Sequence, residues 1–247
     1  MGIANKTLLV LGGSSDIGRM SARIFASHGW NIQLAGRSVE KLEREAGDIR
    51  ARSGTDVSVF RLDVLETDTF TTFVDGLPRL PDAVLCVAGL LGDQHLAETD
   101  LAHAELVMRS NYTGPALLVG LLAERFLTRG NGCIIGVSSV AGDRGRASNY
   151  IYGSAKAGFT AFLSGLRNRC AKKNVHVLTV KPGFVRTQMT AGLDLPNALT
   201  SSPEHVAEVI YRAVEQAADV IYVSGVWRFI MLIIQHIPEV IFKKLKI

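Results

Sequence analysis

The chain has 247 residues, of which 47% are hydrophobic, and this length and apolar content suffice for one substantial buried core, so we expect a single domain. The formal net charge is +4, but residues 226–247 contain four basic residues and one acidic residue and therefore carry three of those charges. The nearly neutral remainder offers no basic face, which excludes nucleic acid as an expected partner.

The cysteines and the amino terminus bear on the cellular compartment. Cys86, Cys133 and Cys170 are odd in number and show neither paired nor metal-like spacing, so we expect reduced thiols and no metal site. The apolar stretch before Gly12 is too short for a signal peptide. These features predict a cytoplasmic protein.

The first predicted elements are a short apolar strand over Thr7–Leu11, a glycine-rich turn and a helix to about residue 28. Glycines let the backbone approach a ligand closely, and the unpaired N–H groups at a helix start attract phosphate. We therefore predict a turn that holds a dinucleotide pyrophosphate, with an ordinary strand-to-helix turn as the alternative. A carboxylate at Asp16 adds negative charge near the pyrophosphate, so it must either point aside or bind ribose. The predicted contacts are Gly12, Ser14, Ser15, Asp16, Ile17 and Gly18.

The second predicted strand, over residues 31–35, bears on the choice of cofactor. In a dinucleotide-binding fold, the residues that follow this strand face the adenine ribose. Arg37 and Ser38 suit a 2′-phosphate, whereas an acidic residue there would bind a free 2′-hydroxyl. The predicted cofactor is therefore NADPH, with NADH as the alternative. The competing interpretation is that Arg37 only begins the solvated helix over residues 39–52.

Two more strands and an interrupted helix follow. The strands are predicted over residues 56–62 and 83–87, and the helix over residues 101–129. Proline and glycine near residues 114 and 115 would break the hydrogen-bond ladder of that helix, just after an asparagine. The candidate residues in this part of the chain are Asp63, Val64, Ala88, Gly89 and Asn111.

A serine, a tyrosine and a lysine form a candidate proton-donating site. Ser139 follows a strand predicted over residues 132–137, and its hydroxyl can bind a substrate oxygen there. Tyr152 and Lys156 lie one turn apart on a predicted helix, so they share a face. A nearby cation favours the phenolate, so we expect the tyrosine pKa, about 10 when free, to move toward neutrality. Such a pair alone is weak evidence, because any long helix can carry one on a solvated face.

The remaining elements complete an alternation of strands and helices. A strand over residues 176–181 leads into a proline-glycine loop over 182–187, and a predicted substrate lid covers residues 188–201. Ser202 and Pro203 then start another helix, and a last strand is predicted over residues 220–223. The alternation predicts a Rossmann-type, doubly wound parallel sheet whose strand ends bring the candidate residues to one edge.

Taken in order, these motifs resemble the short-chain dehydrogenase/reductase family over about residues 6–223. The resemblance implies an NAD(P)-dependent oxidoreductase and a homo-oligomer. It also implies that Tyr152 is the proton donor, that Ser139 binds the substrate oxygen, that Lys156 holds the ribose and that Asn111 supports a water relay. Departures from the family pattern are Leu11, Asp16, Cys86 and Val87. The resemblance further implies that Asp63 and Val64 contact the adenine and that the backbone of Ala88 and Gly89 lies beside the cofactor. It places the loop with Pro182, Gly183, Val185 and Thr187 beside the nicotinamide.

Particular segments resemble a family branch that reduces a lipid-linked keto-pentose. They are AGLLGD at 88–93, NYTGP at 111–115, YGSAKAG at 152–158, KPGFVRTQM at 181–189 and the terminal segment. A polyprenylphosphoryl 2-keto-pentose is therefore the expected substrate. Two alternatives stay open: a soluble NADPH-dependent ketoreductase of acyl or small carbonyl compounds, and a nucleotide-sensing scaffold without turnover.

Residues 226–247 form an apolar and cationic tail beyond the main domain, which is expected over residues 1–225. The apolar run is shorter than the roughly 20 residues that a spanning helix needs, and polar residues interrupt it. Trp227 and the terminal lysines favour the boundary between headgroups and acyl chains. We therefore expect contact with the inner face of the cell membrane, with a homo-oligomer interface as the alternative.

Overall fold

The computed structural model describes residues 6–245, so Lys246, one of the predicted tail cations, lies outside the described range. The strands are β1 Thr7–Leu11, β2 Asn31–Gly36, β3 Val57–Arg61, β4 Ala83–Cys86, β5 Gly132–Val137, β6 Val175–Lys181, β7 Phe184–Val185, β8 Thr200–Ser201 and β9 Val220–Tyr222. The helices are α1 Asp16–Ser27, α2 Val39–Ser53, α3 Phe70–Asp75, α4 Gln94–Thr99, α5 Leu101–Met108, α6 Gly114–Arg129, α7 Tyr150–Cys170, α8 Pro203–Glu215, α9 Gly225–His236 and α10 Glu239–Phe242.

Seven strands form one parallel sheet in the order β3-β2-β1-β4-β5-β6-β9, as the alternating pattern predicted. The first strand, β1, pairs on both sides, with Leu8 opposite Ile32 of β2 and opposite Ala83 of β4. The strand order reverses direction between β1 and β4. Open parallel sheets bind ligands at such a reversal, beyond the carboxyl ends of the strands.

Helices cover both faces of the sheet, and alternate residues of β1 belong to different cores. Leu8 and Val10 pack in a core with α1, α2 and α8, whereas Leu9 and Leu11 pack in a second core with α3, α6 and α7. A strand buried on both faces reads as a continuous apolar run, which is why β1 lacks polar alternation. The two cores hold the carboxyl edge of the sheet in a fixed arrangement.

The predicted helix over residues 101–129 is interrupted where the sequence indicated. A π-helical turn, Arg109–Thr113, separates α5 from α6. Gly114 packs so closely on the backbone of Val64 that a side chain on this glycine would overlap the Val64 carbonyl. The interruption therefore turns Asn111 inward beside the end of β4.

The tail forms two helices that pack on the rest of the chain. Trp227 and Met231 of α9 are buried with Val140 in a small third core. Arg144 holds the far end of α9, because its guanidinium donates to the carbonyls of Ile234 and Ile237, each at 2.6 Å. No helix between residues 6 and 245 combines the length and the apolar character needed to cross a bilayer.

Candidate active site

The glycine-rich turn after β1 forms a narrow cradle at the reversal point of the sheet. Gly12 has φ +93°, and a side chain there would approach the backbone nitrogen of Ala88 to 3.0 Å. A Cβ on Gly18 would lie 2.5 Å from the carbonyl oxygen of Gly12. The Ser15 hydroxyl caps α1 by accepting from the Gly18 N–H at 3.1 Å. Glycine is thus required at two positions, and the start of α1 faces the crevice where a phosphate would lie.

Asp16 points aside from the crevice, which decides between the two predicted orientations of its carboxylate. Its Oδ1 accepts from Arg19 at 2.6 Å, and its Oδ2 accepts from the backbone N–H of Gln188 at 2.7 Å. The alternative that Asp16 binds ribose is therefore wrong for this structure. The carboxylate instead ties the turn after β1 to the first residue of the predicted lid.

Arg37 and Ser38 lie at the carboxyl end of β2, as predicted. Arg37 is exposed, and its side chain makes no hydrogen bond or ion pair within residues 6–245. The Ser38 hydroxyl caps α2 by accepting from the Lys41 N–H at 3.4 Å. On the next strand along the edge, Asp63 accepts from the Leu65 N–H at 3.0 Å and shapes its own turn. Within residues 6–245, Arg37 is therefore an exposed cation without a bonded partner at the carboxyl end of β2.

Asn111, Ser139, Tyr152 and Lys156 all line one cavity of about 500 Å³ at the carboxyl edge. The Asn111 side chain is fully buried and donates to the carbonyls of Val107 at 2.8 Å and Leu90 at 2.6 Å. These bonds fix the asparagine across the π-helical turn. The structure thus brings Asn111 and Ser139, from two other parts of the chain, together with Tyr152 and Lys156 of α7.

Lys156 is buried to 4% exposure between Asn111 and the end of β5. Its Nζ donates to the Val137 carbonyl at 3.1 Å and lies 5.7 Å from the centroid of the Tyr152 ring. A Cβ on Gly89 would lie 2.6 Å from Asn111 Oδ1 and 3.4 Å from Lys156 Nζ. Small size at Gly89 therefore lets the asparagine and the lysine come together.

Burial dominates the protonation of the tyrosine and the lysine. It raises the pKa of Tyr152 to about 12, although a hydrogen bond with Ser139 acts in the opposite direction. It lowers the pKa of Lys156 to about 8. The predicted shift of the tyrosine pKa toward neutrality is therefore wrong for this structure, because loss of water around the phenol outweighs the distant ammonium.

The loop after β6 and the tail helix α9 form the opposite wall of the cavity. Phe184 and Trp227 meet edge to face, with ring centroids 5.3 Å apart. Trp227 is 4% exposed, its indole N–H donates to Leu199 at 3.2 Å, and a side chain on Gly183 would overlap the indole. The prediction that Trp227 lies at a membrane boundary is wrong, because the ring is buried against the proline-glycine loop.

The predicted lid over residues 188–201 is a turn-rich segment whose end returns to the loop. Its last residues form β8, which pairs in parallel with β7 through Phe184 opposite Thr200. Other cavity residues were not among the predicted site residues. Leu91 and Met189 lie in segments quoted for the family resemblance, Leu193 lies in the predicted lid and Trp227 in the predicted tail, but none of them was predicted to line the cavity. Gln94, Arg146 and Asn149 lie in no segment quoted for the resemblance.

Comparisons with known proteins place the chain in a family and a fold. The family model described as short chain dehydrogenase matches residues 6–197. An uncharacterized oxidoreductase of Mycobacterium tuberculosis is 34% identical over 242 residues, which cover 96% of this chain and 96% of that protein. The 3-oxoacyl-[acyl-carrier-protein] reductase of Chlamydia muridarum is 28% identical over 90% of this chain and 94% of its own length.

A solved structure extends the likeness to the fold. The short-chain dehydrogenase from Sphingobium yanoikuyae in complex with NADPH superposes with a TM-score of 0.83. It is 23% identical, and the match covers 95% of this chain and 97% of that chain. At this level of identity the likeness establishes a shared architecture.

Proposed function

The chain belongs to the short-chain dehydrogenase family and is an oxidoreductase of that family, and from this we propose that it reduces a keto group to an alcohol with NADPH. The observation that carries the proposal is the convergence of Ser139, Tyr152 and Lys156 on one cavity beside the glycine-rich turn. NADPH supplies a hydride when it is bound. The protein supplies the proton and the positions of both reactants.

The crevice fits a phosphorylated dinucleotide. Because Gly12 has no side chain, the turn lies close to Ala88 and its backbone stays accessible to a pyrophosphate at the start of α1. Arg37, exposed and without a bonded partner in residues 6–245, suits the 2′-phosphate of NADPH. Lys156 and Asn111 would lie beside the ribose that carries the nicotinamide, and Lys156 would hold it. The resemblance to the family implies further cofactor contacts at Asp63, Val64, Ala88, Gly89, Pro182, Gly183, Val185 and Thr187.

The side chains of the cavity suit a proton transfer to the substrate. Tyr152 stays protonated at neutral pH because burial raises its pKa, so its hydroxyl can donate to a developing alkoxide. Ser139 would donate a hydrogen bond to the same oxygen. Lys156, whose Nζ lies 5.7 Å from the centroid of the Tyr152 ring, would stabilise the phenolate that remains, and Asn111 would anchor the water relay that returns the proton.

We take the substrate to be a polyprenylphosphoryl 2-keto-pentose. Several segments of the chain resemble decaprenylphosphoryl-2-keto-erythro-pentofuranose 2-reductase, as set out above. Apolar side chains at the cavity, namely Met189, Leu193 and Trp227, suit the start of a prenyl chain. Met189 and Leu193 are 44% and 54% exposed, so apolar surface continues from the cavity to the outside.

A second candidate is the reduction of 3-oxoacyl thioesters. The Chlamydia muridarum relative carries that name and is 28% identical over most of both chains. Its substrate is also a keto compound with an extended tail, so the apolar side chains of the cavity suit it as well.

One assay separates these candidates. NADPH oxidation is followed at 340 nm with farnesylphosphoryl 2-keto-pentofuranose and, in parallel, with an acetoacetyl thioester. Turnover of the keto-sugar with a kcat/KM at least tenfold above that of the thioester is expected. The reverse preference would assign the chain to acyl reduction, and oxidation of NADPH by neither compound would refute both substrates.

We also propose that the tail rests on the inner surface of the cell membrane. The outward side of α9 and α10 is apolar, with Phe229 at 68%, Ile233 at 67% and Val240 at 68% exposure. The exposed cations Arg228, Lys243 and Lys244 border this surface and suit anionic headgroups. A lipid-linked substrate could then enter the cavity without leaving the bilayer completely.

A further inference from the structure

A second cation lies in the cavity wall besides Lys156. Arg146 belongs to the loop between Ser139 and α7, and it lines the same cavity as Tyr152. Its Nε is buried and has no hydrogen-bond partner within the described part of the chain. Burying a donor of this kind without an acceptor costs free energy, so a ligand that supplies an acceptor is favoured there.

The acid nearest in sequence does not satisfy this guanidinium. Asp143 is held by Lys181, whose Nζ lies 2.5 Å from Oδ1, and by the Tyr222 hydroxyl, which donates to Oδ2 at 2.8 Å. Asp143 raises the pKa of Arg146, but burial lowers that pKa by a larger amount. The arginine therefore faces the cavity with its charge only partly compensated.

An unpaired acceptor accompanies this donor. Asn149 lines the cavity three residues before Tyr152, and its Oδ1 is buried without a hydrogen-bond partner in residues 6–245. It stands at the N-cap position of α7, yet its side chain makes no capping hydrogen bond. Its acceptor oxygen is thus available to a hydroxyl of the substrate.

The other titratable side chains that line the cavity, apart from the Tyr152 phenol, lie beside protein partners. Asp93 accepts from the Leu96 N–H at 3.0 Å, His95 Nδ1 lies 3.8 Å from Glu98 Oε2, and Lys156 donates to Val137. Arg146 is thus the cavity cation that lacks a bonded partner among residues 6–245.

We propose that Arg146 and Asn149 form a substrate subsite in which the arginine binds a phosphate ester and the asparagine accepts from a hydroxyl group. This inference rests on the proposed keto-reductase function and adds the two residues that would recognise its substrate, a hydroxylated carbonyl compound with a phosphate ester close to the reacting carbon. Guanidinium groups bind phosphate oxygens through charge-assisted hydrogen bonds, which are strong where water is excluded.

The test compares two ligands that differ only in the phosphate. Farnesylphosphoryl arabinofuranose and the neutral farnesyl arabinofuranoside are titrated by calorimetry into the enzyme saturated with NADP⁺. Wild type should bind the phosphodiester more tightly than the neutral glycoside. Arg146→Gln should weaken binding of the phosphodiester about 10- to 100-fold and change binding of the glycoside little. Asn149→Ala should weaken both ligands, because both retain the sugar hydroxyls.

Arg212→Gln is the matched control, since Arg212 is an exposed arginine of α8 that pairs with Glu208 outside the cavity. It should leave both affinities unchanged. Equal affinity of wild type for the two ligands, or an equal loss of both in Arg146→Gln, would overturn the subsite. A loss of NADP⁺ affinity in Arg146→Gln would also overturn it, because the bound phosphate would then belong to the cofactor.

These outcomes are separate from those of the proposed function. Selective, Arg146-dependent binding of the phosphodiester without turnover of the matching keto-sugar would uphold the subsite and refute the proposed reaction. Turnover of that keto-sugar with no effect of Arg146→Gln on its KM would uphold the reaction and refute the subsite.

Discussion

Burial has opposite effects on the two titratable groups at the centre of the cavity. Removing water disfavours the charged form of each, so the phenol of Tyr152 keeps its proton and the ammonium of Lys156 loses its proton more readily. The sequence shows that the two residues share a helix face, but it does not show how much water surrounds them. For this reason the positions could be predicted and the direction of the tyrosine shift could not.

Replacing the proposed proton donor should remove turnover and spare cofactor binding. Tyr152→Phe deletes the hydroxyl, and general acid catalysis typically contributes about 10²- to 10⁴-fold, so kcat should fall by that amount. The dissociation constant for NADPH should stay close to that of wild type. Tyr150→Phe is the matched control, because Tyr150 is 42% exposed on the same helix. Retention of wild-type kcat by Tyr152→Phe would refute the catalytic role.

The pH dependence of reduction should reflect Lys156. A lysine with a pKa lowered to about 8 is charged below that pH and neutral above it. Since the charged form would stabilise the developing phenolate, kcat/KM for reduction should decrease as the pH rises through about 8. Measurement of kcat/KM between pH 6 and 10 checks this. A profile that is flat across this range would contradict the assignment.

Arg37 should decide between the two nicotinamide cofactors. Arg37→Ala removes a charged donor worth about 1.5–3 kcal/mol to a phosphate, so NADPH affinity should fall about 10- to 100-fold. NADH affinity should change little. Arg44→Ala, which removes an exposed arginine paired with Glu40 on α2, is the control. Equal losses for NADPH and NADH would show that Arg37 only begins the helix.

At the scale of elements, short apolar runs predicted the strands of the parallel sheet, and the glycine and proline at 114 and 115 predicted the break between α5 and α6. It could not predict the orientation of α9, because residues 226–234 are apolar almost without interruption. The buried side of that helix is fixed by a contact distant in sequence, where Trp227 packs on Gly183. The sequence also could not predict that Arg146 Nε and Asn149 Oδ1 are buried without a hydrogen-bond partner within residues 6–245, because this depends on how the loop before α7 folds.

The inward and outward sides of α9 should respond differently to substitution. Trp227→Ala should lower the free energy of unfolding by about 3–5 kcal/mol and raise KM, because a buried wall of the cavity is lost. Phe229→Ala removes a ring that is 68% exposed, so it should change stability by less than about 0.5 kcal/mol. Urea unfolding and steady-state kinetics measure both effects. Similar destabilisation by the two variants would mean that α9 packs differently.

For the whole molecule, the outward side of the tail should govern membrane attachment. Full-length protein is expected to sediment with anionic vesicles, and the double variant Phe229→Ser, Ile233→Ser should remain in the supernatant with its NADPH affinity unchanged. Raised salt should weaken sedimentation, because Lys243 and Lys244 contribute through charge. If the variant instead dissociates an oligomer in size-exclusion chromatography, the tail is a subunit interface and the membrane proposal is wrong.

The order of the strands bears on how the chain matures during synthesis. From β4 onward, each new strand joins the free edge left by the previous one, in the sequence β4, β5, β6 and β9. A nascent chain can therefore extend its sheet as it leaves the ribosome, without reopening finished pairs. The cavity is completed later than the sheet, because one of its wall residues, Trp227, follows all the strands in the chain. We expect chains that end before Trp227 to form most of the sheet and to lack a complete cavity.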